Sequence, residues 1–113
     1  LKQHIEKLVG HRFNSCLANL YEEGTQGLGW HSDDEATLIS DTGQETVIAS
    51  LSLGATRKFS FKHKNQATKV DLLLHSGQLI VMRGQTQQHW KHALMKSTRI
   101  YEPRINLTFR YFF

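Results

Sequence analysis

The sequence predicts a mainly β fold of the jelly-roll type, preceded by one short helix. Several short segments alternate apolar and polar residues, which is the pattern of strands that are buried on one side. Glycine, asparagine and serine separate these segments, and the chain contains a single proline. Short strands at this spacing are typical of sandwiches and barrels. The length of 113 residues corresponds to one small domain.

The elements follow from periodicity, in chain order. An apolar helical stripe spans residues 1–9, and Gly10 follows as a C-terminal stop. The segment that begins at Phe13 alternates as a strand does, with Asn19 and Tyr21 on one face, and the glycine-rich loop EEGTQGLG comes next. Further strands are predicted at about 46–53, 57–62, 69–74, 78–83 and 104–112.

Composition indicates a folded intracellular protein. Hydrophobic residues make up 39% of the chain, which argues against disorder. No apolar run reaches the length of a membrane span, and the charged segment LKQHIEKLVG does not resemble a secretory signal. The single cysteine, Cys16, cannot form an internal disulfide, which suits a reducing compartment. We therefore expect a cytoplasmic monomer (nuclear in a eukaryote) that has no membrane partner.

Positive charge is concentrated in the segment TRKFSFKHK. Over the whole chain, 14 Lys and Arg against 10 Asp and Glu give a modest net charge of +4. In this segment Arg57, Lys62 and Lys64 surround a strand whose Phe59 and Phe61 point inward. Such a segment is either a solvated hairpin or an edge that contacts phosphate groups, and the residues alone favour neither interpretation.

The last predicted strand, in EPRINLTFRYFF, has one apolar and one polar face. Ile105 and the alternate residues after it share the apolar face, whereas Arg104, Asn106 and Arg110 share the other. The simplest interpretation of the polar face is a solvated edge strand. The other interpretation is an inward face whose two guanidinium groups bind carboxylates.

The segment GWHSDDE contains a candidate metal site. His31 and Asp33 are two residues apart and share a face if the segment is extended. A third ligand would come from QHWKHAL, which offers His89 and His92. Two histidines and one carboxylate form a facial triad that leaves three positions of an octahedral iron(II) open. The His-x-Asp pattern alone is weak evidence, because most of its occurrences are accidental.

An open iron site gives a function to the polar face of the last strand, which we call the polar ladder. Planar guanidinium groups pair with carboxylates through two parallel hydrogen bonds. Arg104 and Arg110 can therefore hold the two ends of a dicarboxylate, with Asn106 between them. Asn19 and Tyr21 have the same period on another strand and can add hydrogen bonds.

Five segments together carry a resemblance to a known family. The segments NLY, WHSDDE, SLSLGATRKFSFKHK, HWKHAL and EPRINLTFR resemble the AlkB family of iron(II)- and 2-oxoglutarate-dependent dioxygenases, above all its members that repair alkylated DNA and RNA. The likeness extends from about Phe13 to Phe113. It implies a double-stranded β-helix, which is a relative of the jelly roll and the cupins. It also implies one catalytic core over residues 1–113 that lacks most of the family's N-terminal nucleotide-recognition lid.

The resemblance implies roles for the metal and base sites. His31, Asp33 and His92 correspond to the iron ligands, and His92 is preferred to His89 because it is the second histidine of the HWKH segment. Glu35 corresponds to an acidic residue that helps to recognise the damaged base, and His31 supplies one wall beside that base.

The resemblance also implies roles for the ladder. Arg104 corresponds to the arginine that pairs with the distal carboxylate of 2-oxoglutarate, assisted by Tyr21 and Asn106. Arg110, with Asn19 nearby, corresponds to the arginine beside the carboxylate that chelates iron. In the basic segment, the resemblance favours contact between the nucleic-acid backbone and three residues, Arg57, Lys62 and Lys64.

The implied reaction is oxidative dealkylation of N-alkylated bases, such as 1-methyladenine and 3-methylcytosine, in DNA or RNA. It consumes dioxygen, decarboxylates 2-oxoglutarate to succinate and releases formaldehyde. One alternative keeps iron(II) and 2-oxoglutarate but acts on RNA, a protein side chain or a small molecule. Another is a catalytically silent nucleic-acid-binding relative. A third, a generic metal-binding cupin, would not need the paired arginines.

Overall fold

A computed structural model describes residues 1–32, 47–83 and 89–111. Within these ranges the chain forms one helix and eight strands. The elements are α1 (Lys2–Val9), β1 (Ser15–Tyr21), β2 (Leu28–His31), β3 (Ile48–Gly54), β4 (Arg57–His63), β5 (Lys69–Leu74), β6 (Leu79–Met82), β7 (Trp90–Leu94) and β8 (Arg104–Arg110).

The strands form two four-stranded antiparallel sheets. The first has the order β1-β8-β3-β6, and the second has the order β2-β7-β4-β5. Strands distant in sequence are neighbours, so that β8 lies between β1 and β3 while β7 lies between β2 and β4. This arrangement confirms the predicted mainly β, jelly-roll class with one N-terminal helix.

Helix α1 covers the outer face of the first sheet. Gly10 ends the helix in the left-handed conformation at φ 76°, which glycine adopts without steric cost, and its N–H donates to the Glu6 carbonyl. Ile5 is 3% exposed and packs in one cluster with Ala49 of β3 and Phe109 of β8. No helix in the described ranges is long and apolar enough to cross a membrane.

The position of α1 determines which face of β8 is which. The apolar residues Leu107 and Phe109 pack outward, under the helix, although Ile105 at the start of the strand is 41% exposed. Because side chains alternate, the polar face of β8 then lies between the two sheets. The space between the sheets is therefore the place for chemistry.

Two strands, β2 and β7, were not predicted. Strand β2 is only four residues long and begins at Leu28, inside the glycine-rich segment that reads as a loop. In β7, Trp90, His92 and Leu94 share one face. A histidine on the inward face hides the alternation, because inward residues are expected to be apolar.

Candidate active site

His31 and His92 lie side by side between the sheets. They are register partners in the antiparallel pairing of β2 with β7. Their ring centroids are 4.2 Å apart, with the planes at 64° to each other. The structure thus brings together the two histidines that the sequence predicts as metal ligands.

The hydrogen bond of His31 prepares its ring for a metal. Nδ1 lies 2.8 Å from the Gly29 carbonyl oxygen and donates to it. This tautomer carries its proton on Nδ1 and presents the lone pair of Nε2. A histidine that ligates through one nitrogen and donates from the other to a backbone carbonyl is the usual arrangement in metal sites.

His92 is buried against an aromatic wall. Its side chain is 4% exposed, and its ring lies 5.5 Å from Phe59 and 6.0 Å from Phe61, measured between centroids. The alternative ligand, His89, instead stacks on His63 at 6.1 Å and is not among the described residues that line the cavity. The geometry therefore favours His92 over His89.

The predicted third ligand, Asp33, lies outside the described residues, and so does Glu35. Within residues 1–32, 47–83 and 89–111, no group of three His, Cys, Asp or Glu side chains is placed to hold a metal. The end of β2 is tied to β7 at Ser32, whose hydroxyl donates to the Trp90 carbonyl at 2.7 Å. This bond holds the chain immediately before Asp33.

The predicted polar ladder faces the histidine pair across a single cavity. In the pairing of β1 with β8, Tyr21 lies opposite Arg104, and Asn19 lies opposite Asn106. The cavity is lined by Asn19, Tyr21, Leu28, His31, Ser50, Phe59, Met82, His92, Leu94, Arg104, Asn106, Thr108 and Arg110.

Arg104 is the most buried cation of this ladder, at 3% exposed. Its Nη2 donates to the Ser52 hydroxyl at 2.8 Å, and its Nε is buried without a hydrogen-bond partner among the described residues. Its guanidinium carbon lies 5.8 Å from the centre of the Tyr21 ring. Because Arg104 lines the cavity, its buried guanidinium with an unused donor can bind an anion there.

Tyr21 is protonated and Arg104 is charged at neutral pH. Burial raises the pKa of the Tyr21 hydroxyl, although the nearby charges of Arg104 and Arg57 act in the opposite direction. Burial lowers the pKa of Arg104, but an arginine remains charged at neutral pH. Tyr21 can therefore donate a hydrogen bond beside a permanent positive charge.

Asn106 is held by two hydroxyl groups that sequence reasoning missed. Ser50 donates to the Oδ1 of Asn106 at 2.5 Å, and the Nδ2 of Asn106 donates to the Thr108 hydroxyl at 2.8 Å. Ser50 and Ser52 alternate with apolar residues along β3, in the segment IASLSLG. That alternation was the available signal, since it places both serines on the inward face.

Arg110 completes the ladder at the far end of β8. It is half-buried, lines the cavity and pairs in register with Ser15 of β1. The two arginines thus approach the cavity from the two ends of one strand. None of the described residues that line the cavity carries a carboxylate.

The chain is similar to known proteins in sequence and in fold. The family described as the 2OG-Fe(II) oxygenase superfamily matches residues 1–110. The chain is similar to "Alpha-ketoglutarate-dependent dioxygenase alkB homolog 3" of Bos taurus, 44% identical over 119 residues, and to "DNA oxidative demethylase ALKBH2" of Homo sapiens, 37% identical over 118 residues. The chain belongs to the AlkB family of 2OG-Fe(II) oxygenases.

The two alignments cover 97% of this AlkB-family chain but only 40% and 44% of the respective relatives. The chain therefore spans less than half the length of these relatives. The solved structure of OsALKBH1 matches it with a TM-score of 0.62 at 28% identity, covering 84% of this chain and 48% of that one. The predicted double-stranded β-helix is confirmed at the level of the fold.

The described residues fit the iron(II) and 2-oxoglutarate that the superfamily's name implies. His31 offers Nε2 beside the buried ring of His92, which suits a divalent metal. On the other side of the cavity, Arg104 has an unused buried donor and no carboxylate partner among the lining residues. A dianionic co-substrate would supply the charge that this end of the cavity lacks.

The predicted contact of Arg57 with the nucleic-acid backbone is wrong. Its side chain is 1% exposed, and its Nη2 donates to three backbone carbonyls inside the protein. Arg57 shares the inward parity of Phe59 and Phe61 on β4, so it points away from solvent.

Lys62 and Lys64 do lie on the surface, as that prediction requires. The ammonium nitrogen of Lys62 lies 5.1 Å from the centre of the Trp30 ring, on the outer face of the second sheet. The backbone N–H of Lys64 donates to the His89 carbonyl at 2.8 Å, which ties the end of β4 to the start of β7. The surface position of both lysines is consistent with the predicted contact with phosphate groups.

Proposed function

We propose that residues 1–113 form the catalytic core of an oxidative dealkylase that acts on N-alkylated bases, such as 1-methyladenine and 3-methylcytosine, in DNA or RNA. The observation that carries the proposal is the single cavity in which the His31–His92 pair faces the Arg104 ladder. The names of the similar proteins, a dioxygenase and a DNA oxidative demethylase, support the same chemistry.

In this proposal, residues of the second sheet bind the metal and residues of the first sheet bind the co-substrate. His31 and His92 would hold iron(II) together with Asp33, which follows β2. Arg104 would bind the distal carboxylate of 2-oxoglutarate, with Tyr21 donating beside it. The chemistry that the bound metal and co-substrate supply is oxidation of the N-alkyl group by dioxygen, with decarboxylation of 2-oxoglutarate to succinate and loss of a methyl group as formaldehyde.

The remaining residues orient the co-substrate and exclude water. Asn106, fixed by Ser50 and Thr108, would hold the middle of the ladder, and Arg110 with Asn19 would lie beside the carboxylate that chelates the metal. Apolar side chains line the cavity on the side of the second sheet. Because this wall excludes water, the electrostatic contacts of the co-substrate with the ladder are stronger. These lining side chains are Leu28, Phe59 and Leu94.

The base would enter from the nucleic acid by leaving its stack. A base whose Watson–Crick edge is methylated costs less to extrude than an intact one. His31 at the cavity wall and Glu35 beyond β2 are the proposed contacts to that base. This assignment makes the substrate a single extruded nucleotide held beside the metal.

A row of lysines on the outer face of the second sheet supports a nucleic-acid partner. Lys62 of β4 lies directly opposite Lys69 of β5 and Lys91 of β7, and all three side chains are exposed. Like charges placed directly opposite one another destabilise a sheet. Asp71, the one carboxylate in these four strands, lies 3.8 Å from Lys69 and 3.5 Å from Lys58. Asp71 therefore offsets the charges of Lys58 and Lys69 but not those of Lys62 and Lys91. The remaining positive charge suits contact with phosphate groups.

Reversing two charges of this row tests the partner. In the double variant Lys62→Glu/Lys91→Glu, affinity for an alkylated oligonucleotide should fall, and the slope of log K against log salt should become shallower by about two, because each phosphate contact contributes about one. Fluorescence anisotropy across a salt series measures both quantities. Lys7→Glu/Arg12→Glu makes the same change of charge in and just after α1, and its slope should match the parent. Equal slopes in both variants would remove the row from the interface.

The reaction itself is tested in two steps. Iron(II) and 2-oxoglutarate are first added without air, and the weak visible absorption of their chelate is recorded. An oligonucleotide that contains 1-methyladenine is then admitted with air, and formaldehyde and the repaired base are followed by mass spectrometry. We expect both the chelate and repair. A chelate without repair would keep the oxygenase but assign it another substrate, and no chelate at all would overturn the proposal.

A further inference from the structure

Arg57 is the largest fully buried side chain in the described part of the chain. Its Nη2 donates to the carbonyls of Gln26 at 2.6 Å, Met95 at 2.8 Å and Gly24 at 3.4 Å. Gly24 and Gln26 lie between β1 and β2, and Met95 directly follows β7. One guanidinium on β4 therefore fixes the end of β1, the start of β2 and the end of β7 relative to one another.

Gly24 packs closely against the connection that follows β7. A Cβ atom on Gly24 would lie 2.1 Å from the Ser97 carbonyl oxygen and 2.8 Å from the Cβ of Ile100. Gly24 also exchanges backbone hydrogen bonds with both, since its N–H donates to Ile100 and its carbonyl accepts from Ser97. The loop that leaves β1 at Tyr21 is thus held from two sides.

Tyr21 links Arg57 to the cavity. The guanidinium carbon of Arg57 lies 5.9 Å from the centre of the Tyr21 ring, and that of Arg104 lies 5.8 Å from the same centre. Tyr21 is 8% exposed and lines the cavity, whereas Arg57 lies behind it and is not among the lining residues. The ring therefore contacts two cations, one that lines the cavity and one that does not.

Stability is a poor reason for a charge at this position. The Nε and Nη1 of Arg57 are buried without hydrogen-bond partners among the described residues. Burying a charge that is only partly satisfied is costly, and an apolar side chain of similar volume often gives a more stable protein. The guanidinium also lies against the ring of Tyr21, so its positive charge can act on the cavity.

We propose that Arg57 is a positioning residue for the distal carboxylate of 2-oxoglutarate. It holds the Tyr21 ring and hydroxyl beside Arg104, and it adds a second buried positive charge to the end of the cavity that would receive this carboxylate. The assignment rests on the proposed function. It makes Arg57 a determinant of selectivity for a 2-oxo acid with two carboxylates over one with a single carboxylate.

The test compares two 2-oxo acids in the same protein. 2-Oxoglutarate and 2-oxobutanoate share the chelating end, but only the first has a distal carboxylate. Calorimetry with iron(II) present and air excluded gives both dissociation constants. In Arg57→Met, that for 2-oxoglutarate should rise about tenfold, the usual scale for residues that orient a ligand-binding group. The constant for 2-oxobutanoate should change by less than about twofold, which is within ordinary scatter for an unaffected site.

Further variants separate positioning from folding. Lys58→Met removes a positive charge from the neighbouring, outward-facing position, and it should leave both constants unchanged. Arg57→Lys keeps the charge but has a shorter side chain and no planar guanidinium, so its fit to the three carbonyls is poorer, and it should weaken 2-oxoglutarate selectively and by less than Arg57→Met. If Arg57→Met does not fold, Arg57→Gln, which removes the charge but keeps an N–H donor for the carbonyls, decides the question.

The outcomes are distinct. A rise confined to 2-oxoglutarate supports the positioning role. Equal losses for both acids, or an unchanged ratio of the two constants in the neutral variant that folds (Arg57→Met or Arg57→Gln), would show that Arg57 only supports the fold and would overturn the inference. Failure of the parent protein to bind 2-oxoglutarate at all would instead overturn the proposed function, and this inference with it.

Discussion

Replacing His92 with alanine should abolish binding of iron(II) and, with it, all turnover. His92 is one of two histidines that the pairing of β2 with β7 places in register, with ring centroids 4.2 Å apart. Loss of a residue that merely orients a ligand typically costs ten- to a hundredfold in metal affinity. Loss of the ligand itself should therefore cost more than about a hundredfold. Anaerobic titration with iron(II), followed by the visible absorption of the 2-oxoglutarate chelate, measures the loss directly.

His89→Ala is the matched control for this prediction. His89 was the alternative ligand in the same HWKH segment, but its ring stacks on His63 outside the cavity. It should keep the parent's affinity for iron(II) and its absorption band. The melting temperature of both variants should be recorded, so that unfolding is not mistaken for loss of metal. An inactive His89→Ala beside an active His92→Ala would reverse the assignment of the ligand.

The polar ladder could be predicted from the sequence because the residues on both faces of β8 follow the period of a strand. Arg104, Asn106 and Arg110 fall on one side of that strand and Phe109 on the other. What local sequence could not show is which side faces the interior. Helix α1 decides this point, since it covers the apolar face from outside and leaves the polar face between the sheets.

For Arg57, the alternation along β4 and the positive charge of the side chain lead to opposite predictions of burial. Its parity with Phe59 and Phe61 indicates an inward side chain. A cation in a basic segment nevertheless reads as a surface residue, because charged side chains are rarely buried. Its partners are backbone carbonyls of two distant connections, and backbone acceptors leave no trace in the residue types of a sequence.

The pairing of β2 with β7 was beyond prediction for a similar reason. The spacing of His31 and Asp33 predicts a shared face, but the choice between His89 and His92 depended on a strand that carries a histidine on its inward side. Only the register between the two strands places His92 opposite His31. Register is a property of two distant segments together, which periodicity within either one does not contain.

Replacing Arg104 with methionine should raise the dissociation constant of 2-oxoglutarate by roughly a hundredfold, because a charge-assisted pair to a buried carboxylate contributes more than an ordinary hydrogen bond. Methionine fills a similar volume without leaving Tyr21 beside an empty space, so the fold should persist. Affinity for iron(II) should stay near that of the parent, since the histidines lie on the other sheet. The same anaerobic titration, now varying 2-oxoglutarate at constant iron(II), separates these two effects.

Arg99→Met provides the control for removal of a guanidinium, because Arg99 is exposed in the connection between β7 and β8 and is not among the residues that line the cavity. Its affinity for 2-oxoglutarate should equal the parent's.

Saturating Arg104→Met with 2-oxoglutarate should restore much of its turnover, because the distal carboxylate is remote from the bond that breaks. No concentration of co-substrate should rescue His92→Ala. That contrast assigns binding to the ladder and chemistry to the histidine pair. Unchanged affinity in Arg104→Met would mean that the buried guanidinium serves the sheet and not the co-substrate.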